Sequence, residues 1–242
     1  MGAEMEGDTT EGVSAFTDRL GALKRDGCML LLVTPPDHDA AAAACRRMLG
    51  DELLTERERL FVLTESDASD HPGTSLGKHG DPADTGVLRY HTEARSVTAD
   101  SSMGSGGPSG PDTDSFAARV PSADIRGGLD ALADGVEDEI GRLDARAGGL
   151  DPGELRVCVD TLDDLLAHDG TEAVHEFLHD VRDVVLAHDG MCHAHLSADV
   201  HAAPIDELGD AFDAVVEVDY DGRAKQRWHV PDLGFSTGWL AL

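Results

Sequence analysis

Lysine is almost missing from this sequence: the 242 residues contain only Lys24, Lys78 and Lys225. Basic residues of both kinds number 19 against 48 acidic ones, a net charge of −29. No basic footprint is left for a phosphate backbone, so direct binding to nucleic acid is not expected. Aromatics make up only 4% of the chain, so a core must be built mainly from Val, Leu and Ala. Long apolar runs are absent as well. The run Cys28–Val33 is far too short to span a bilayer. The acidic start MGAEMEGDTTEG lacks the basic region of a signal peptide, and Glu6 stands where a myristoylation motif has Ser or Thr. The expectation is a soluble, cytoplasmic protein with no membrane partner. No C-x-x-C pair occurs among Cys28, Cys45, Cys158 and Cys192. Three of the four lie in strand-like runs, and all four are read as buried free thiols rather than metal ligands or disulfides.

The acid that replaces lysine is spread along the whole chain and coexists with clear apolar periodicity, unlike a disordered acidic tail or a nucleic-acid mimic. Such a surface repels itself at ordinary ionic strength. At about 1 M salt the Debye length shrinks to about 3 Å and the repulsion is screened. The composition therefore resembles that of a halophilic cytosolic protein.

Helical spacing of Val13, Phe16, Leu20 and Leu23 predicts a helix over Val13–Arg25, stopped by Gly27. The acidic residues 1–12 before it are expected to be flexible. Cys28–Thr34 reads as a strand buried on both faces, followed by an Ala-rich helix over His38–Leu49. Arg59–Glu65 and Val87–His91 are further strands, with a loop over Ser66–Thr85 between them. The Gly/Ser/Pro-rich stretch within 98–115 is too poor in apolar residues to order itself. Arg126–Ala147 is expected as a helix, Leu155–Asp160 as a strand, Thr171–His188 as a helix and Met191–Ser197 as a strand. Phe212–Asp219, the turn at Tyr220-Asp221-Gly222 and Ala224–Val230 suggest a terminal hairpin. Strands alternating with helices predict one three-layer α/β domain over 13–242, with a mostly parallel sheet.

A strand, a Pro-Pro turn and a helix from Leu31 to Leu49 is the layout of a phosphate-binding loop. That loop requires G-x-x-x-x-G-K-[ST]: glycines so that backbone N–H groups can approach phosphate, lysine for charge, and a hydroxyl for magnesium. In this chain the four positions hold Thr34, Asp39, Ala40 and Ala41, and Asp37 adds a further negative charge. Carboxylates about 4–6 Å from a triphosphate oppose its binding even at an effective dielectric near 20.

The segment LRVCVDTLDDLL, Leu155–Leu166, ends an apolar strand in Asp160-Thr161 and enters a helix at once. With FLHDVRDVVLAHDG, MCHAHLSADV and the ending DLGFSTGWL, it resembles RecA-like ATPases, in particular the circadian-clock KaiC-like branch. It is more closely similar to an uncharacterised KaiC-like family of haloarchaea whose first motif is degenerate. The resemblance runs from Val13 to Leu242 apart from the low-complexity loop. It implies a RecA-type P-loop ATPase fold and makes Asp160 the counterpart of the magnesium-associated carboxylate. The catalytic glutamate has no counterpart. Thr161 with Asp163 and Asp164 also reads as an ordinary helix start. His193 and His195 alternate onto one strand face near the ligand-binding edge, and His195 is read as a structural histidine beside the nucleotide-site remnants.

His175-Glu176-Phe177-Leu178-His179 matches H-E-x-x-H, in which i and i+4 histidines bind zinc and Glu serves as base. The buried stripe of that helix runs through Val174, Phe177, Leu178, Val181 and Val185, which places both histidines at its flank. Arg182 and Val185 occupy the glycine and histidine positions of an extended zinc-protease motif, and a third ligand would have to come from Glu207. The expected function is thus a non-catalytic RecA/KaiC-like protein that regulates through contacts with a protein partner or a second copy of itself. No cofactor is expected. A weak ATPase using ATP and magnesium through Asp160 is the alternative, and a zinc protease at His175 and His179 a distant one.

Overall fold

An unbroken apolar strand needs neighbours on both edges and cover on both faces. In the computed structural model, which describes residues 10–34, 40–50, 57–64, 82–91, 120–201 and 203–242, strand β1 (Cys28–Thr34) has both, and all seven residues are buried. It pairs in parallel with β6 (Met191–Ser197) on one side and β7 (Ala214–Tyr220) on the other. The sheet continues from β6 through β5 (Leu155–Asp160), β2 (Glu58–Leu63), β3 (Thr85–His91) and β4 (Ser122–Arg126), all parallel. Beyond β7 the chain turns back antiparallel into β8 (Ala224–Val230), which carries the short strands β9 (Phe235–Ser236) and β10 (Leu240–Ala241).

Two helices cover one face: α1 (Thr10–Arg25) and α2 (Ala40–Leu49). Phe16, Leu23 and Ala44 pack there with Cys28, Leu30, Leu32, Val216 and Trp228. The other face carries α3 (Leu129–Ala147), α4 (Leu162–Asp169), α5 (Thr171–Ala187) and α6 (Ala203–Leu208). Their apolar stripes close over Met29, Leu31, Val33 and the alternate residues of β2, β5 and β6. The three-layer α/β architecture and the C-terminal hairpin are therefore as the sequence predicts. Among the described residues no helix is long and apolar enough to cross a membrane.

Two expectations need correction, and two elements escape the sequence reading. Helix α1 begins at Thr10, so residues 10–12 are helical rather than part of a flexible terminus; residues 1–9 lie outside the described set. The sequence over 126–147 is not one helix: Arg126 ends β4, Gly127 and Gly128 intervene, and α3 starts at Leu129. Strand β4 escapes detection because it is an edge strand of sequence SADIR, mostly exposed and without apolar alternation. Helix α6 was also not expected. The low-complexity stretch 98–115 and the Pro-Pro turn with Asp37 and Asp39 lie outside the described residues.

Gly27 illustrates how close the backbone runs at the start of β1. Its φ is +79°, and a Cβ there would come within 2.7 Å of the Gly190 carbonyl oxygen. From β1 the chain passes through α2 to β2 on one side, and from β6 through α6 to β7 on the other. The carboxyl ends of β1 and β6 thus flank the point at which the winding reverses, where open α/β sheets place their ligands.

Candidate functional site

At that edge, Thr34 closes β1 in register with Ser197 of β6, and its carbonyl accepts a hydrogen bond from Ala198 N at 3.1 Å. Helix α2 starts at Ala40, one position before Ala41. The positions that would carry a phosphate-binding lysine and a magnesium-binding hydroxyl are therefore the first two residues of a helix, both alanine.

Asp160 ends β5, and the peptide joining it to Thr161 is cis. Thr161 caps α4: its Oγ1 accepts from Asp163 N at 3.4 Å and lies 2.5 Å from Asp163 Oδ2 and 3.2 Å from the His195 carbonyl oxygen. Asp163 Oδ2 in turn accepts from Ser197 N at 3.0 Å. From β2, Thr64 Oγ1 accepts from Thr161 N at 2.7 Å and donates to the carbonyl of Thr161 or Asp160, at 2.7 and 2.9 Å. Thr161, with the backbone carbonyl of Asp160, thus ties the end of β2 to β5, β6 and α4.

Beneath α2 the side chains take a different character. Cys45, one turn into that helix, meets Cys158 of β5 with sulfurs 3.7 Å apart. His193 of β6 lies opposite Cys158 in register and brings Nε2 to 3.5 Å from Cys45 Sγ. His195, two residues on and on the same strand face, stacks edge-on with His193 at 5.2 Å between ring centroids. Ligand atoms of all four residues lie within 4.8 Å of one another, and all four side chains are buried. Nε2 of His195 is buried and makes no hydrogen bond of acceptable geometry, although Cys45 stands near enough to act on it electrostatically.

Within the cluster the two thiols are pushed in opposite directions. A hydrogen bond from Cys158 holds the Cys45 thiol well below its ordinary range, against the effect of burial and with help from His193 and His195. Burial drives Cys158 the other way. Burial also acts to lower the His195 pKa, but the Cys45 sulfur and the carboxylates of Asp160 and Asp163 outweigh it and raise it. Cys28 and Cys192 stand apart, and burial pushes Cys28 up to about 12. All four cysteines are buried and none forms a disulfide. The sequence did not disclose that two of them converge with two histidines.

The H-E-x-x-H segment also forms a group, at the exposed flank of α5. His175 Nε2 lies 2.7 Å from Asp210 Oδ1 and 3.3 Å from His179 Nε2. The third group is Asp210 rather than Glu207. Asp210 is 71% exposed, and its hydrogen bond to His175 holds its carboxyl below the usual range. A cavity of about 750 Å³ lies elsewhere, toward the opposite edge of the sheet, lined by Phe16, Leu20 and Trp228 together with Lys24, Arg57 and Arg156.

The sequence pattern of a family of unknown function, DUF7504, matches residues 27–218, from the turn before β1 to the end of the parallel sheet. The chain belongs to this family. The DUF7504 region takes in Cys45, Cys158, His193 and His195 as well as Thr34 and Asp160. No curated protein sequence matches the chain. Among solved structures, it is similar to a Pyrococcus horikoshii OT3 protein from a structural study, at 10% identity over 87% of this chain and 90% of that one, with a TM-score of 0.48. It is also similar to a KaiC-like protein of the same organism, at 11% identity over 85% of this chain and 78% of the other, again with a TM-score of 0.48.

Proposed function

We propose that this DUF7504 protein uses a RecA/KaiC-like scaffold without nucleotide turnover, and that it acts in the cytoplasm as a regulator through contacts with another protein chain. The observation that carries this reading is the use to which the nucleotide-handling positions are put. Ala40 and Ala41 open α2 with neither charge nor hydroxyl, and Thr161 is engaged as a helix cap. Attraction of an anion to a helix N-terminus contributes about 0.3–1 kcal/mol at an exposed site. Micromolar binding needs about −8 kcal/mol. Contacts are supported at the hairpin side of the sheet. The exposed large apolar side chains among the described residues, Tyr220, Leu233, Trp239 and Leu240, all lie on the C-terminal hairpin and its edge. Lys225 and Arg227 each stand over the Trp239 ring, 4.8 Å from its centroid.

Calorimetry with magnesium ATP in molar KCl should show no binding tighter than millimolar, and no phosphate should be released. A micromolar dissociation constant that is lost in Asp160→Ala would overturn the reading in favour of a working nucleotide site.

A further inference from the structure

We propose that Cys45, Cys158, His193 and His195 form a structural zinc site that fastens α2 to β5 and β6. Nothing in this depends on whether nucleotide binds. Zinc is held at about 2.3 Å by thiolate and about 2.0–2.1 Å by imidazole. A regular tetrahedron of those bond lengths sets its two sulfurs about 3.8 Å apart and each sulfur about 3.5 Å from a nitrogen. The observed separations are 3.7 Å between the sulfurs and 3.5 Å from Cys45 Sγ to His193 Nε2. A disulfide is far shorter, at about 2.05 Å.

Three further observations point the same way. The Nε2 atom of His195 is buried without a hydrogen bond, and such an atom in an apolar core is costly unless something binds it. Two thiolates and two neutral imidazoles around a divalent ion sum to zero charge, which avoids an uncompensated buried charge. Helix α2, sequence AAAAACRRML, also offers few large apolar side chains to the sheet. Ala44, Cys45 and Leu49 are its fully buried residues, so a metal bond at Cys45 would supply attachment that packing does not. Four protein ligands leave no open position, which marks a structural rather than a catalytic zinc. The mixed sulfur and nitrogen set suits zinc and disfavours magnesium or calcium. On binding, each thiol that is protonated loses its proton to solvent as its sulfur–zinc bond forms.

The test is metal content in the full chain, purified in molar KCl without chelator and then incubated with zinc chloride and desalted. Plasma mass spectrometry should find about one zinc per chain, falling at least about tenfold in Cys45→Ser and in His195→Gln. Cys28→Ala and the double variant His175→Ala/His179→Ala should keep it. Should the ligand variants fail to fold, cobalt exchanged into the wild-type chain decides the matter. It should show the visible bands of tetrahedral Co(II) with a thiolate charge-transfer band in the near ultraviolet. Folded wild-type protein that takes up neither ion, zinc retained by both ligand variants, or octahedral cobalt without a thiolate band would each overturn the proposal.

Discussion

Two groups of potential metal ligands sit in this molecule, and they differ in every respect that governs binding. His175, His179 and Asp210 are partly or fully exposed and bonded to one another on the flank of α5. Cys45, Cys158, His193 and His195 are sealed between α2 and the sheet, include two soft sulfur donors, and leave one nitrogen without a partner. The exposed group has the contiguous sequence signature. The buried one has none, because its members come from a helix, one strand and another strand, with Cys45 and Cys158 separated by 113 positions. A motif reports what is close along the chain, whereas tight metal binding depends on what the sheet register and helix packing bring close in space.

The largest expected effect concerns the fold as a whole. With a net charge of −29, dialysis from about 2 M to about 0.05 M KCl extends electrostatic repulsion beyond ~10 Å and should produce cooperative loss of helical circular dichroism. The contrast between the two groups predicts a further detail. Zinc at the sealed site is not screened, so the loaded chain should unfold at a lower salt concentration than the stripped one. A melting temperature independent of salt would remove the charge argument, and coincident salt midpoints for loaded and stripped protein would count against a stabilising metal.

Next in size is metal removal at fixed high salt. Free zinc at about a thousand times its dissociation constant would add about 4 kcal/mol to stability. In a chain of this length 1 kcal/mol moves the thermal midpoint by about 2–4 °C, so a strong chelator should lower it by about 8–16 °C. The same treatment of Cys158→Ser should change little, because its site is already lost. Equal chelator responses in wild type and variant would show that the stabilising ion sits elsewhere.

Much of the fold is legible in the sequence because each buried element carries its own periodicity. The strand at Cys28–Thr34 and the buried stripe of α5 from Val174 to Val185 are placed by apolar pattern, and the hairpin partner at Ala224–Val230 by the turn at Tyr220-Asp221-Gly222 before it. Legibility fails where burial does not dictate composition. Strand β4 is polar because it lies at an edge, and α6 is too short to show a period. For the site, Ala40 and Ala41 could be located by alignment to a loop pattern, and Asp160-Thr161 by the resemblance of the strand end that carries them. None of the four cluster residues reads as a metal ligand from the sequence. The sequence does contain one usable signal, the alternating His193 and His195, but their partners become evident only when β5 lies beside β6 and α2 crosses above both.

The smallest effect is expected from the conspicuous motif. His175 and His179 have side chains 31% and 41% exposed, and Asp210 projects into solvent, so water can replace each partner when one is removed. Neither histidine contributes to the stripe of Val174, Phe177, Leu178, Val181 and Val185 that fixes α5 on the sheet. The double variant His175→Ala/His179→Ala should therefore keep its zinc and shift the thermal midpoint by no more than about 2 °C. Alanine even favours the helix intrinsically, which works against any loss. The release of Asp210 should be visible in its titration: without the hydrogen bond from His175, its carboxyl rises back toward the ordinary aspartate range, as side-chain carboxyl shifts in NMR would report. Loss of one zinc per chain in this variant, accompanied by loss of a measurable peptide-cleaving activity, would invert the comparison and make the exposed group the working centre.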